Sequence, residues 1–372
     1  MKFRVERDAL ADAVSWAARS LASRPTVPVL AGLLLAVEDS SLSVSGFDLE
    51  ASTQITLEVI AGSSGQALVS GRLLADITKA LPPHPVEVTL DASRLTISCG
   101  SARFTLPTMP VEDYPRLPEM PSTAGTVNGA AFATAVAQSA IAAGRDDTLP
   151  MLTGVRLEID GERLTLAATD RYRLAVRELT WTPGTIGAVP TQVLVPARTL
   201  SDAAKSLAHS EQLTIALSTS GTGEGIIGFS GAGRHATTRL LDAQFPPYRT
   251  LLPADWASSA EVPIAPFVEA VKRVALLADR GTPVRLEFAE GGVSLSAGGE
   301  DEGRAEEQLE VQFEGESITT AFNPGFLLDG LGALETPSAR LLFTSSNKPV
   351  VLRPAGGADD YTYLIMPVRL PG

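Results

Sequence analysis

The chain reads as an α+β protein of three similar domains, and three observations lead there. The same helical segment is written three times: Leu10, Ala13, Val14, Ala18 and Arg24; Phe132, Ala135, Val136, Ala140 and Arg145; Phe267, Ala270, Val271, Ala275 and Arg280. An apolar residue, an Ala-Val pair three and four positions on and an Ala four beyond Val share one helix face. Alternating strand patterns follow each copy, and proline-rich joints at 115–122 and 245–253 separate the copies. The joints divide the 372 residues into 1–122, 123–254 and 255–372, since one core does not serve a chain of this length.

Within each copy the elements follow in the same order. Period-2 patterning predicts a strand after the first helix at 32–37, 154–159 and 283–288. Asp39-Ser40, Asp160-Gly161 and Gly291-Gly292 are turn chemistry and lead into second strands at 42–48, 164–170 and 293–297. A second helix is predicted at 70–81, 196–208 and 323–334. Pro196 stands where a first helical residue belongs, and Asn323 stands as N-cap before Pro324. Three more strands complete each unit, giving two helices and about eight strands in roughly a doubled β-α-β-β-β pattern. The repeat is far longer than a solenoid unit, so each copy is a whole domain.

Composition narrows the function. The formal charge is −13, with 44% hydrophobic and 20% charged residues. A protein holding nucleic acid by phosphate neutralisation is normally basic, unless the nucleic acid is held by enclosure, which needs no net attraction. No run of 18 uncharged apolar residues appears and Met1-Lys2-Phe3-Arg4 opens no apolar leader, so neither a membrane span nor a signal peptide is expected. Cys99 is the single cysteine, which suits a reducing cytoplasm. No Walker A motif occurs, and Gly221-Thr222-Gly223-Glu224-Gly225 is a turn between predicted strands. His84, His209 and His235 are isolated, and Glu300-Asp301-Glu302 with Glu306, Glu307 and Glu310 lacks a His or Cys partner, so no cofactor and no metal are expected.

Four stretches, in order over the whole chain, resemble the bacterial sliding clamps, the β subunits of the replicative DNA polymerase III holoenzyme. They are Met1 to Arg7, Arg24-Pro25-Thr26-Val27-Pro28-Val29-Leu30, Ala168 to Val176 with Asp170-Arg171-Tyr172-Arg173 at its centre, and Met366-Pro367-Val368-Arg369-Leu370. The scarcity of lysine, five residues in all, resembles the family's actinobacterial members. The resemblance implies three sliding-clamp (processivity-fold) domains per chain and a head-to-tail homodimer, a pseudo-sixfold ring with helices inside and sheets outside. Double-stranded DNA would thread the ring without sequence preference. The replicative polymerase α subunit, the clamp loader and other proteins bearing a clamp-binding motif would dock on it, with no catalysis by the clamp itself.

Carried over by position, the resemblance implies a partner-peptide pocket between the second and third domains. Its residues would be Leu152, Thr169, Arg171, Tyr172, Arg173, Leu174, Pro246, Leu251, Pro349, Leu364, Ile365, Met366, Pro367, Val368, Arg369 and Leu370. Arg171 and Tyr172 replace the Gly-His pair of some members, and Thr250 replaces an arginine, so peptide preference is open to change. Read without the family, the C-terminal run is a core edge strand. DNA-facing cations would be Arg24, Arg72, Arg145, Arg198 and Lys205, with Asp146 an acidic departure beside Arg145. The plainer role for Arg24, Arg145 and Arg280 is a cation at a helix C-terminus. Leu276 and Leu277 would meet Phe104 and Leu106 of a second copy, although an apolar helix face is ordinarily core. Two other classes compete: an enzyme using Asp170 and the acidic third domain, and a repeat-built scaffold that never encircles DNA.

Overall fold

Each third of the chain repeats one order of elements in the computed structural model, which describes residues 1–22, 24–184, 189–219, 225–278, 282–299, 303–357 and 359–369. The first comprises β1 (Lys2–Val5), α1 (Arg7–Ala17), β2 (Gly32–Glu38), β3 (Ser41–Phe47), β4 (Ala51–Glu58), β5 (Ile60–Ser63), β6 (Gly65–Ser70), α2 (Gly71–Ala80), β7 (Val86–Asp91), β8 (Arg94–Cys99) and β9 (Ala102–Met109). The second comprises β10 (Thr123–Val127), α3 (Gly129–Ala140), β11 (Gly154–Asp160), β12 (Arg163–Thr169), β13 (Arg173–Thr180), β14 (Thr182–Pro183), β15 (Thr191–Pro196), α4 (Ala197–Ser206), β16 (Leu213–Thr219), β17 (Gly225–Gly231) and β18 (Arg234–Arg239). The third comprises β19 (Ser258–Pro263), α5 (Ile264–Val274), β20 (Val284–Ala289), β21 (Gly292–Gly299), β22 (Gly303–Leu309), β23 (Gln312–Gly315), β24 (Ile318–Phe322), α6 (Pro324–Gly332), β25 (Ser338–Phe343), β26 (Val350–Pro354) and β27 (Tyr361–Ile365).

The doubled β-α-β-β-β order is therefore present, with a ninth strand inserted between the two halves of each unit. These extra strands, β5, β14 and β23, pair with the opening strands β1, β10 and β19. They span two to four residues, too short to show a period in the sequence. Asn323 caps α6, its Oδ1 accepting the Gly325 and Phe326 amides. Pro196 departs from expectation: it is the last residue of β15 and the N-cap of α4, and the helix begins at Ala197. The predicted helix faces are buried at Leu10, Ala13 and Val14, at Phe132, Ala135 and Val136, and at Phe267, Ala270 and Val271. The fourth position of each, Ala18, Ala140 and Ala275, is half-buried.

All strand pairs are antiparallel, and each unit makes two sheets, β6-β2-β3-β4 and β5-β1-β7-β8-β9 in the numbering of the first. Neighbouring units are joined edge to edge. β4 of the first pairs with β18 of the second, and β13 of the second with β27 of the third. Helices follow the same joints. Arg19, just beyond α1, donates to Ser206 Oγ on α4, and Gln138 of α3 donates to the Ala333 carbonyl at the end of α6 at 2.9 Å. Arg234 on β18 reaches Asp12 on α1 at 2.5 Å. By the same pattern β22 and β9 are left as counterparts without each other: among the described residues β22 pairs only with β21, while β9 pairs with β8 and, at its last two residues, with β6.

Four tyrosines are buried in this frame. Desolvation pushes Tyr114, Tyr248 and Tyr363 up to about 12, and moves Tyr361 in the same direction. The unfolded chain releases these phenol protons near 10.0 while the native one holds them to about 12, so the unfolded state binds fewer protons in that window. The stability these phenols contribute is expected to be level below pH 10 and to fall as pH rises from 10 to 12. Tyrosinate absorbance of these four should appear only together with unfolding seen by circular dichroism; four phenols ionising in the folded chain would contradict it.

Candidate nucleic-acid and partner interfaces

The joint between the second and third units carries an apolar row across its outer face. Register sets Thr169, Leu174, Leu364, Val351 and Leu342 side by side on five successive strands. The chain from Phe245 to Leu252 crosses above them, and Phe245 and Tyr248 complete a buried cluster with Leu174, Leu364, Val351 and Leu342. The matching row at the first joint is Phe47, Ser52, Thr237, Gly228 and Ala216. There the central pair is a hydroxyl bridge, Ser52 Oγ to Thr237 Oγ1 at 2.7 Å. Strand register is the same at both joints, but the row at the second is apolar where the first carries hydroxyls.

Around the apolar row lie Pro246, half-buried, and Leu251, Tyr172, Met366 and Val368, all exposed large apolar groups. Pro349 precedes β26 and is half-buried, as is Pro367, while Arg369 is exposed. Leu152 is buried, its carbonyl accepting the Gly144 amide at 2.7 Å. Leu370 lies outside the described residues, as do Arg280, Glu300-Asp301-Glu302 and Gly221-Thr222-Gly223-Glu224.

Two expected pocket residues face the other way. Arg173 pairs with Ile365 in register, one position off the Leu174–Leu364 row, and strand alternation sends both side chains to the helix side of the sheet. Ile365 is fully buried in the main core. Arg173 Nε donates to Asp170 Oδ2 at 2.9 Å and its Nη1 to Asp329 Oδ2 on α6 at 2.5 Å, with the guanidinium 4.5 Å from the Phe326 ring centroid. Burial opposes that charge, and hydrogen bonds with Asp329, Tyr363 and Asp170 outweigh it, so the guanidinium is held above its ordinary pKa. Arg173 thus clamps the two domains beneath the groove rather than lining it.

Asp170 is equally committed. Its Oδ1 accepts the Tyr172 amide at 3.0 Å and the Arg173 amide at 3.1 Å, while Oδ2 holds Arg173. Thr169 Oγ1 donates to the Arg173 carbonyl at 2.7 Å and closes the turn. A carboxylate with these partners organises a loop and has no oxygen poised as a base. The Met366 amide donates to the Tyr172 carbonyl at 2.8 Å, tying the C-terminal run to the same lip. Sequence reasoning missed Phe245, Tyr248, Phe326 and Asp329; the aromatic pair flanking Pro246-Pro247 was the available signal for the first two.

Three of the five cation positions lie on helices. Arg72 on α2, Arg198 and Lys205 on α4, and Arg24 and Arg145 past α1 and α3 are all exposed, and among the described residues none is ion-paired. Arg72 and Arg198 meet Arg19 in a recess of about 240 Å³ at the first joint, alongside Asp48 and Asp202. Asp146 is turned to local use: Thr148 donates its hydroxyl at 2.6 Å and its amide at 3.0 Å, which holds the carboxyl below its usual range.

Of the four residues expected between copies, two are exposed. Leu276 is 82% exposed, Leu277 39%, and Phe104 on β9 is half-buried. Leu106 is 4% exposed and sits in its own core. It follows Phe104 by two, on the same face of β9, and its side chain is spent within the chain. Among the described residues no group of His, Cys, Asp and Glu is placed to hold a metal ion, and no helix is long and apolar enough to cross a membrane. Cys99 is buried, its thiol directed at the Pro82 and His84 carbonyls.

Three copies of a two-helix, two-sheet unit, joined in series by their sheet edges with unpaired cations on and just past the helices, define a DNA clamp. Models of the DNA polymerase III beta subunit match in succession, the N-terminal domain over residues 1–118, the central domain over 126–247 and the C-terminal domain over 249–369. The chain is 58% identical over 379 residues to the beta sliding clamp of Streptomyces coelicolor, with 100% of both covered. It is 50% identical over 314 residues to that of Micrococcus luteus, covering 84% of this chain and 100% of that one. The crystal structure of the Pseudomonas aeruginosa clamp bound to griselimycin, 29% identical, matches with a TM-score of 0.92 over 100% of each chain. This chain belongs to the DNA polymerase III β subunits, the β sliding clamps. It is a processivity factor of DNA replication, in a family that is non-catalytic. The Streptomyces and Micrococcus relatives, at 58% and 50% identity, are actinobacterial.

Proposed function

We propose that two copies close head to tail into a ring around duplex DNA, each contributing domains 1–122, 123–254 and 255–372. The observation that carries this reading is the pair of unmatched edges. Within the chain a last strand of one first-half sheet twice meets a last strand of the next second-half sheet, β4 with β18 and β13 with β27. β22 and β9 are the third such pair, separated only by belonging to opposite ends of the chain. A long unpaired edge invites another chain, and a heterologous contact that closes after two copies leaves no edge free. Leu276 occupies in the third unit the place of Arg19 in the first, which reaches α4 across its joint. It is therefore positioned to reach α2 of the second copy, where Leu73 is 46% exposed.

In that ring the six helices of each chain line the pore, and Arg24, Arg72, Arg145, Arg198 and Lys205 face the phosphates. Contacts of this kind position a duplex without reading it, so the ring slides. The net charge of −13 disfavours open-surface binding and leaves enclosure as the source of retention. The groove over Leu174 and Leu364 takes short linear segments of the replicative polymerase α subunit, the clamp loader and other partners in the cytoplasm, with Leu251, Tyr172, Met366 and Val368 as its apolar walls.

The test is topological. Loaded by its clamp loader with ATP, the protein is expected to stay on closed circular DNA in high salt and to run off when the circle is cut. Release from both forms as salt rises would mean electrostatic binding and would overturn the ring.

A further inference from the structure

The turn after β12 has an equivalent after β3, and its second residue is at odds with what the backbone asks for. Leu49 and Arg171 occupy the same place after Asp48 and Asp170, with φ of 78° and 80°. Left-handed backbone favours glycine because a Cβ crowds the neighbouring carbonyl. Both turns are held by the same device, Asp48 Oδ1 taking the Glu50 and Ala51 amides as Asp170 Oδ1 takes those of Tyr172 and Arg173. The geometry is therefore common to these two turns, while the side chain at its strained position differs between them, Leu49 in one and Arg171 in the other.

At the apolar joint that side chain is a cation. Arg171 is exposed at the lip of the groove, and among the described residues no carboxylate lies within ion-pair distance of it. Asp146, whose carboxyl is already committed to Thr148, feels Arg171 only weakly. Its neighbours are otherwise engaged: the Tyr172 ring stacks on Phe326, and Arg173 is turned beneath the sheet. An unpaired guanidinium fork beside an apolar floor matches one partner chemistry, a carboxylate next to apolar anchors.

We propose that Arg171 sets the partner preference of this groove by pairing with an acidic residue that flanks the apolar anchors of the docking peptide. This rests on the groove being the docking site. Charges at the rim of an apolar interface act chiefly on selectivity and salt dependence, and Arg171 is placed for that role.

The probe is a set of overlapping peptides spanning the polymerase α subunit of the same organism, screened by fluorescence anisotropy against the full-length clamp. The tightest is then remade with each Asp and Glu changed to Asn or Gln. R171G is expected to melt at or above the parent temperature, since it relieves the turn. It should weaken the acidic peptide about five-fold at low salt and leave the neutral one unchanged. Equal binding of acidic and neutral peptides to the parent clamp, or an R171G effect of the same size on both, overturns the proposal. M366D separates the two levels. Peptide binding lost in M366D but indifferent to R171G removes Arg171 alone, whereas binding indifferent to M366D removes the groove and the proposal with it.

Discussion

Changing Leu276 and Leu277 together to alanine is expected to turn a dimer into monomers at micromolar concentration. Leu276 is 82% exposed in the single chain, so nearly its whole side chain is available for burial against a second copy; Leu277, at 39%, has less to gain. Truncation to alanine forfeits about 2 kcal/mol for the first and about 1 kcal/mol for the second. A ring contains the joint twice, so the loss is about 6 kcal/mol per ring, on the order of a ten-thousandfold rise in the dimer dissociation constant. Neither leucine belongs to the chain's own buried core, so the monomer's melting curve should stay close to the parent's. Sedimentation equilibrium reads the outcome directly. An unchanged dimer mass in the double variant would place the subunit contact elsewhere. A variant that unfolds would return both leucines to the core.

Arg173→Ala is expected to lower stability by about 3 kcal/mol, the lower end of what breaking a buried ion pair costs. The lower end applies because the Asp329 side chain is 45% exposed and water can take over part of its solvation, whereas Asp170 at 16% cannot be rescued so easily. The loss should be felt at the joint between the second and third domains, since Arg173 holds the β12–β13 turn to α6. Arg173→Lys should recover only part of it, because an ammonium cannot hold both carboxylates and stack on Phe326 with one planar group. Urea unfolding of the three proteins measures the difference. A change under 0.5 kcal/mol, the scale of an ordinary surface substitution, would mean that water fills the site and that the joint rests on strand pairing alone. The expectation differs from that for a groove-lining residue, which would weaken partner binding and leave stability alone.

Much of the architecture was open to reading because it depends on short-range periods. Leu10, Ala13 and Val14 recur with helical spacing in three places, and the turns at Asp39, Gly161 and Gly291 stand where left-handed backbone is needed. Asn323 announced its helix through a side chain that satisfies otherwise unpaired amides. What escaped is equally specific. β14 is two residues long and carries no period. Pro196 suits either the end of a strand or the start of a helix, and only the pairing with Gly154 assigns it to β15. Leu106 looks like Phe104 in an alternating strand, yet Leu106 is core while Phe104 is only half-buried against it.

The candidate site divides the same way. Its location at the Asp170 turn and the Met366 run was legible from sequence resemblance, because those stretches are local strings. Which side each residue faces was not, since consecutive residues on a strand must point to opposite faces. That is why Arg173 and Ile365 left the groove. The sequence alone determined three repeats of one α+β unit, an interior helix face in each and the lack of a catalytic motif. Only the tertiary structure decided that β13 meets β27, that the row at this joint is Leu174–Leu364 where the first joint has Ser52–Thr237, and that β9 and β22 remain as unmatched edges among the described residues. The physical reason is range. Periodicity and capping act over a few residues, whereas strand partners and sheet edges are set by hydrogen bonds between segments 100 to 200 residues apart, as with Ser52 and Thr237, for which the sequence carries no local mark.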